Sequence, residues 1–191
     1  MKIVFAIDSF KGSIGSVAAG RAAAEGARRV FRDAELVVAP LADGGEGTVD
    51  ALVEGLGGER RSVAVEGPLG KLVMAKYGLL PDGRAVMEMA EAAGLTLVPP
   101  DERDILRAST FGVGQMVSDA LAHGATKVLM GIGGSATNDG GAGMLQALGW
   151  RLLDPQGREL PRGGAALLSL DRIVPPPQLP KCAFRIDGRP F

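Results

Sequence analysis

Apolar positions follow two rhythms along this chain, and the alternation predicts where strands and helices fall. Ile3 to Ile7 is a nearly continuous apolar run, the pattern of a strand buried on both faces, and it ends in Asp8-Ser9-Phe10-Lys11-Gly12-Ser13. From Ile14 to Arg32, Val17, Ala24, Ala27 and Phe31 share one side of a predicted helix, with Ser13 in place to cap it. A second unit repeats the plan. Glu35 to Leu41 reads as a strand, Ala42 to Thr48 as a loop, and Val49, Leu52, Val53 and Leu56 as a helical stripe stopped by Gly57-Gly58. Two successive βα units predict a parallel sheet with right-handed crossovers.

The pattern then changes. Ser62–Glu66, Leu72–Leu80 and Arg84–Ala90 are strand-like, and Pro81-Asp82-Gly83 is a hairpin turn signal, so antiparallel or mixed pairing is expected there. Val86 to Met89 fits either period, and a short helix could begin near Glu88. Beyond Pro99-Pro100 the α/β rhythm returns. Ser109-Thr110 is a candidate cap for a stripe of Val113, Met116, Val117, Ala120 and Leu121, followed by a strand from Lys127 to Ile132. The turn Gly131 to Gly141 and a helix to Gly149 complete a third βα unit. Trp150–Leu153 with Asp154-Pro155-Gln156-Gly157 reads as a hairpin arm.

Composition narrows the class. In 191 residues, 21 basic and 22 acidic side chains leave a formal charge of −1, so neither nucleic acid nor a membrane surface is an expected partner. One cysteine, Cys182, and one histidine, His123, exclude a disulfide framework and a site of several thiolates or imidazoles; a bound metal would be a hard cation on oxygen ligands. The early charges and the lack of a long uncharged apolar run predict a soluble, cytoplasmic protein. The 29 glycines cluster beside acids and hydroxyls, which marks them as loop chemistry.

Three of the polar clusters follow predicted strands. If those strands are parallel neighbours, Asp8, Ser9, Lys11, Asp43, Glu46 and the Gly131–Gly141 turn converge on one cleft at the carboxyl edge of the sheet. Taken singly, Asp8, Ser9 and Ser13 read equally well as caps. Lys11 precedes a helix start and could clamp a phosphate, and Asp43 and Glu46, flanking permissive glycines, suit a cation or a polyol hydroxyl. The Gly131–Gly141 turn should present amides to an anion at a helix N-terminus. Gly131, Gly133 and Ala136 also satisfy G-x-G-x-x-A, with Asp154 near the distance of a ribose-binding acid, which leaves a dinucleotide-binding oxidoreductase fragment as a weaker alternative. No phosphate-binding G-x-x-x-x-G-K-[ST] loop and no nucleophile elbow occur, so the inventory points to phosphoryl transfer by positioning and electrostatics.

Four motifs in order, Asp8 to Ser13, Ala42 to Thr48, Glu88 to Leu95 and Gly131 to Gly141, resemble bacterial glycerate kinase of the type with two α/β lobes. The resemblance implies a Rossmann-like parallel sheet with helices on both faces, interrupted by a smaller α/β lobe of mixed and antiparallel strands. Residues 1–60 and 105–150 would form the first lobe, and 61–104 with 151–191 part of the second. It implies ATP-dependent phosphorylation of D-glycerate to a phosphoglycerate, the 2-phospho product, with Mg²⁺ on the nucleotide. Lys11 would serve the transferring phosphate or the glycerate carboxylate, Asp43 and Glu46 the metal or the glycerate hydroxyls, and Asp43 or Asp139 would accept the hydroxyl proton. Asp8, Ser9, Gly44, Gly45, Gly133, Gly134, Ser135, Thr137 and Asn138 would bind substrate or phosphate. The resemblance runs to about Ile173 and covers the first half of such kinases, so self-association or a requirement for the other half is expected. A non-catalytic module binding a small acid or nucleotide is the competing reading.

Overall fold

The computed structural model describes residues 1–10, 13–41, 47–178 and 181–187, the last two through their backbone alone. A parallel pair opens the chain: β1 (Lys2–Phe5) lies beside β2 (Glu35–Val38), joined by α1 (Ser16–Val30). Ser13 does not cap α1. The N-cap is Gly15, which makes no side-chain cap, and Ser13 instead closes a turn through its amide to the Phe10 carbonyl (2.8 Å).

Next come α2 (Thr48–Leu56), β3 (Glu59–Glu66), β4 (Leu72–Leu79), β5 (Arg84–Glu88), α3 (Ala90–Ala93), α4 (Phe111–Ala122), β6 (Lys127–Gly131) and α5 (Ala142–Ala147). The chain continues with β7 (Arg151–Leu153), β8 (Arg172–Val174) and β9 (Ala183–Asp187). The main sheet has the order β3-β4-β5-β6-β9, antiparallel from β3 to β5 and parallel from β5 to β9. The fold is therefore α/β with mixed sheets and flanking helices.

Strand alternation sorts side chains to the two faces of this sheet. Ala85 and Met87 of β5, with Tyr77, Val128 and Met130, pack against Val113, Met116, Val117 and Ala120 of α4. Val86, with Leu80 and Leu129, meets Val49 and Val53 of α2 on the other face. Burying each of these larger aliphatic side chains is worth roughly 1.5–3 kcal/mol, so the two layers together anchor the molecule.

The hairpin at Pro81–Gly83 forms as expected, with Gly83 at φ 78°. The ambiguous stretch after Val86 uses both periods, ending β5 at Glu88 and turning once as α3. The expected grouping of the third βα unit with the first two is not what the structure adopts. β6 lies between β5 and β9, while β1 and β2 form a separate two-stranded sheet. Periodicity reports how many faces of a strand are buried and carries no information about which strand lies beside it.

Candidate functional site

The parallel part of the main sheet places Glu88, Gly131 and Asp187 in register at its carboxyl edge, the edge where open α/β sheets bind ligands. Glu88 opens onto a cleft of about 500 Å³. Ser9, from the loop after β1, Gly47 and Asp50, from the start of α2, and Arg60, Lys76 and Glu91 line it. Asp50 is paired with Arg60 (2.7 Å), and Glu91 accepts the Lys76 backbone amide (3.0 Å).

Alternation along β5 puts Glu88 on the face that α2 covers, and its side chain is buried at 7% exposure. Its Oε1 accepts the Val49 amide at 2.9 Å. Burial pushes this carboxyl up from an ordinary 4.5 to about 7; the Val49 and Gly47 amides oppose the shift, while Glu91 and Asp50 add to it.

Of the residues that the sequence singles out, Ser9 reaches the cleft. Asp8 is exposed and accepts the Ser9 amide (2.7 Å), a local turn contact. Lys11, Asp43, Gly44, Gly45 and Glu46 lie outside the described residues.

The Gly131–Gly141 stretch leads directly into α5 at Ala142, as the sequence reading expects, with Gly141 as its N-cap. Gly134 adopts φ 72°, the Leu95 amide donates to the Gly134 carbonyl and the Ala136 amide to the Ala93 carbonyl (both 2.8 Å), tying the stretch to the end of α3. Gly133, Gly134 and Asn138 are exposed, and the Ser135 and Thr137 hydroxyls bond to each other (2.8 Å).

Asp139 has a different setting. At 1% exposure, its carboxylate accepts the amides of Thr110 (2.8 Å), Gly141 (3.1 Å) and Gly143 (3.1 Å) together with the Thr110 hydroxyl, and that hydroxyl also accepts the Met144 amide (3.0 Å). The start of α5, expected to receive an external anion, is thus filled by the chain's own carboxylate. The dinucleotide pattern fails on the same geometry and on Asp154, whose carboxylate accepts the Gln156 and Arg158 amides (both 2.9 Å) and the Arg158 guanidinium (2.8 Å) inside its own turn.

Glu88, Glu91, Arg60 and Lys76 escaped the sequence reading as site residues. For Glu88 the available signal was an acid ending an otherwise apolar strand. Arg162, also missed, lies over the Phe111 ring and pairs with Glu66 beside a second, smaller cleft. Among the described residues, no three His, Cys, Asp or Glu side chains group to hold a metal ion, and no helix is long and apolar enough to cross a membrane.

The model of the glycerate kinase family matches residues 3–186, further than the motifs alone suggest. The chain is 54% identical over 172 residues to a glycerate kinase of Halalkalibacterium halodurans, covering 90% of this chain and 45% of that protein. It is 47% identical over 190 residues to the glycerate 2-kinase of Escherichia coli K12, covering 97% of this chain and 50% of the relative. A crystal structure from Salmonella typhimurium LT2, provisionally assigned as glycerate kinase 2, superposes with a TM-score of 0.88 at 47% identity, over 97% of this chain and 51% of that one. The chain therefore spans about half the length of the relatives that it matches.

Proposed function

The chain belongs to the glycerate kinase family, and from that premise we propose that it takes part in ATP-dependent phosphorylation of D-glycerate. The γ-phosphoryl group passes from ATP to the C2 hydroxyl, giving 2-phosphoglycerate and ADP, and the hydroxyl proton goes to a carboxylate. The observation that carries this reading is the family match across nearly the whole chain.

The cleft suits such ligands in its donor set. Its polar lining is hydroxyl, carboxylate, ammonium, guanidinium and backbone, with neither thiol nor imidazole, and a hard cation on a nucleotide needs only one or two carboxylates beside phosphate and water. On this reading Asp43 and Glu46 hold Mg²⁺, which when bound neutralises charge on the nucleotide phosphates. Lys11 serves the transferring phosphoryl group or the glycerate carboxylate. Asp8, Ser9, Gly44, Gly45, Gly133, Gly134, Ser135, Thr137 and Asn138 provide amides and polar atoms for phosphate or the glycerate carboxylate. As proton acceptor, Asp43 is favoured over Asp139, because the Asp139 oxygens already serve four protein donors. The reading places the reaction in the cytoplasm, where both substrates are available.

A coupled assay of ADP formation tests it, run on this chain beside a version extended through the other half of a relative. Turnover dependent on both D-glycerate and Mg²⁺ is expected, with a loss of roughly 10²–10³-fold in kcat for Lys11→Ala if the lysine stabilises transferring charge. Turnover only in the extended version, with ligand binding in both, assigns this chain to a binding role. Its half-length span of the relatives is what favours that second reading. No turnover in either version overturns the proposal.

A further inference from the structure

We infer that Glu88 is a positioning residue: its carboxylate, supplied by the main sheet, acts as the N-terminal cap of α2 and fixes Gly47 at the wall of the cleft. Helix α2 starts from Gly47 at φ 92°, a left-handed conformation that suits glycine, and the N-cap makes no side-chain hydrogen bond. The cap oxygen comes instead from 39 residues further along, where Glu88 Oε1 accepts the Val49 amide at 2.9 Å. Val49 is the second residue of α2, the position whose amide an ordinary capping side chain would take.

The placement is built by the fold. Alternation along β5 sends Val86 into the apolar contact with Val49 and Val53, and sends Glu88, two residues on, to the end of the same helix. A buried carboxylate costs stability wherever an apolar or amide side chain could fill the space. Here Asp50 and Glu91 face it with the same charge, and the nearby guanidinium of Arg60 is taken by Asp50. Gly47 itself lines the cleft, so a residue that fixes Gly47 acts on the shape of that site. The inference rests on the reading of this cleft as the place where the kinase ligands bind.

The test pairs a measurement on the free protein with one on its ligands. Amide exchange at Val49, followed by NMR, is expected to be roughly tenfold faster in Glu88→Ala, with Val117 in α4 unchanged, and Glu88→Gln should restore most of the protection. Calorimetric titration with Mg-ATP and with D-glycerate should show affinity falling about tenfold in Glu88→Ala and recovering in Glu88→Gln, as expected when a lost cap frees a binding segment. If Glu88→Ala does not fold, Glu88→Asp, one methylene short of the Val49 amide, takes its place with the same expected losses. Equal Val49 protection in the variant and the parent overturns the inference. Fast Val49 exchange with unchanged ligand affinity also overturns it, since the cap would then be structural only. If the parent binds neither ligand, the reading of the cleft falls, and Val49 exchange still decides whether Glu88 holds α2.

Discussion

Glu88 and Asp139 are both buried acids, and their surroundings ask opposite things of them. The Glu88 carboxyl is pushed up from 4.5 to about 7, so between those values the folded chain keeps a proton that the unfolded chain releases. The contribution of Glu88 to stability is therefore greatest below about 4.5, falls as pH rises to about 7, and stays at the lower level above it, a penalty of up to about 3 kcal/mol. Glu88→Gln keeps an acceptor for Val49 without the charge. It should melt higher than the parent at pH 8, by roughly 2–4 °C for each kcal/mol relieved in a chain of this size, and match it near pH 4.5. A difference that is the same at both pH values would exclude the charge as its cause. Asp139 serves four donors, and its replacement should cost stability: Asp139→Asn is expected to lose about 2 kcal/mol and Asp139→Ala about 3 kcal/mol in urea unfolding. Full stability in Asp139→Asn with abolished turnover would return Asp139 to the role of base.

Helix stripes and hairpin turns were legible because their causes are local. The α4 stripe of Val113, Met116, Val117 and Ala120 is buried as its spacing requires, and the turn at Asp154 closes on its own residues. Caps were less legible, because the groups that satisfy a helix end can come from anywhere in the chain. Thr110 does sit at the N-cap of α4, yet its hydroxyl turns to Asp139 and to the Met144 amide, locking the starts of α4 and α5 together. Gly143 belongs to this lock by what it lacks: a Cβ there would come within 2.1 Å of Ser109 Oγ and 2.6 Å of the Phe111 amide nitrogen. Thr110→Val should destabilise the chain by about 2 kcal/mol, and combining it with Asp139→Ala should cost at least 1 kcal/mol less than the sum of the two. Additive losses, measured by urea unfolding, would mean that the two residues act separately.

The least legible feature was which strands lie together. The sequence motifs order themselves as one set of strand ends, whereas the chain folds them into a two-stranded sheet and a five-stranded one, brought near each other at the cleft by the contribution of Ser9. That pairing depends on contacts between distant residues, and so does its weakness. A two-stranded sheet is marginal unless something covers it. Here Val4 on β1 is 53% exposed and Phe10 just beyond it 59%, while Val30 at the end of α1 is 73% exposed. Exposed strand edges beside apolar surface favour pairing with another chain. At the concentrations used for structural work this chain is therefore expected to self-associate through the β1–β2 region. Light scattering should give a mass above the 19.6 kDa of one chain, and Val4→Lys with Phe10→Ser should shift the population toward that value. The five-stranded sheet is the internal control, because its buried faces are already covered by α2 and α4. A monodisperse monomer for the unaltered chain would show that the β1–β2 surface tolerates water, and association that survives both substitutions would move the contact elsewhere.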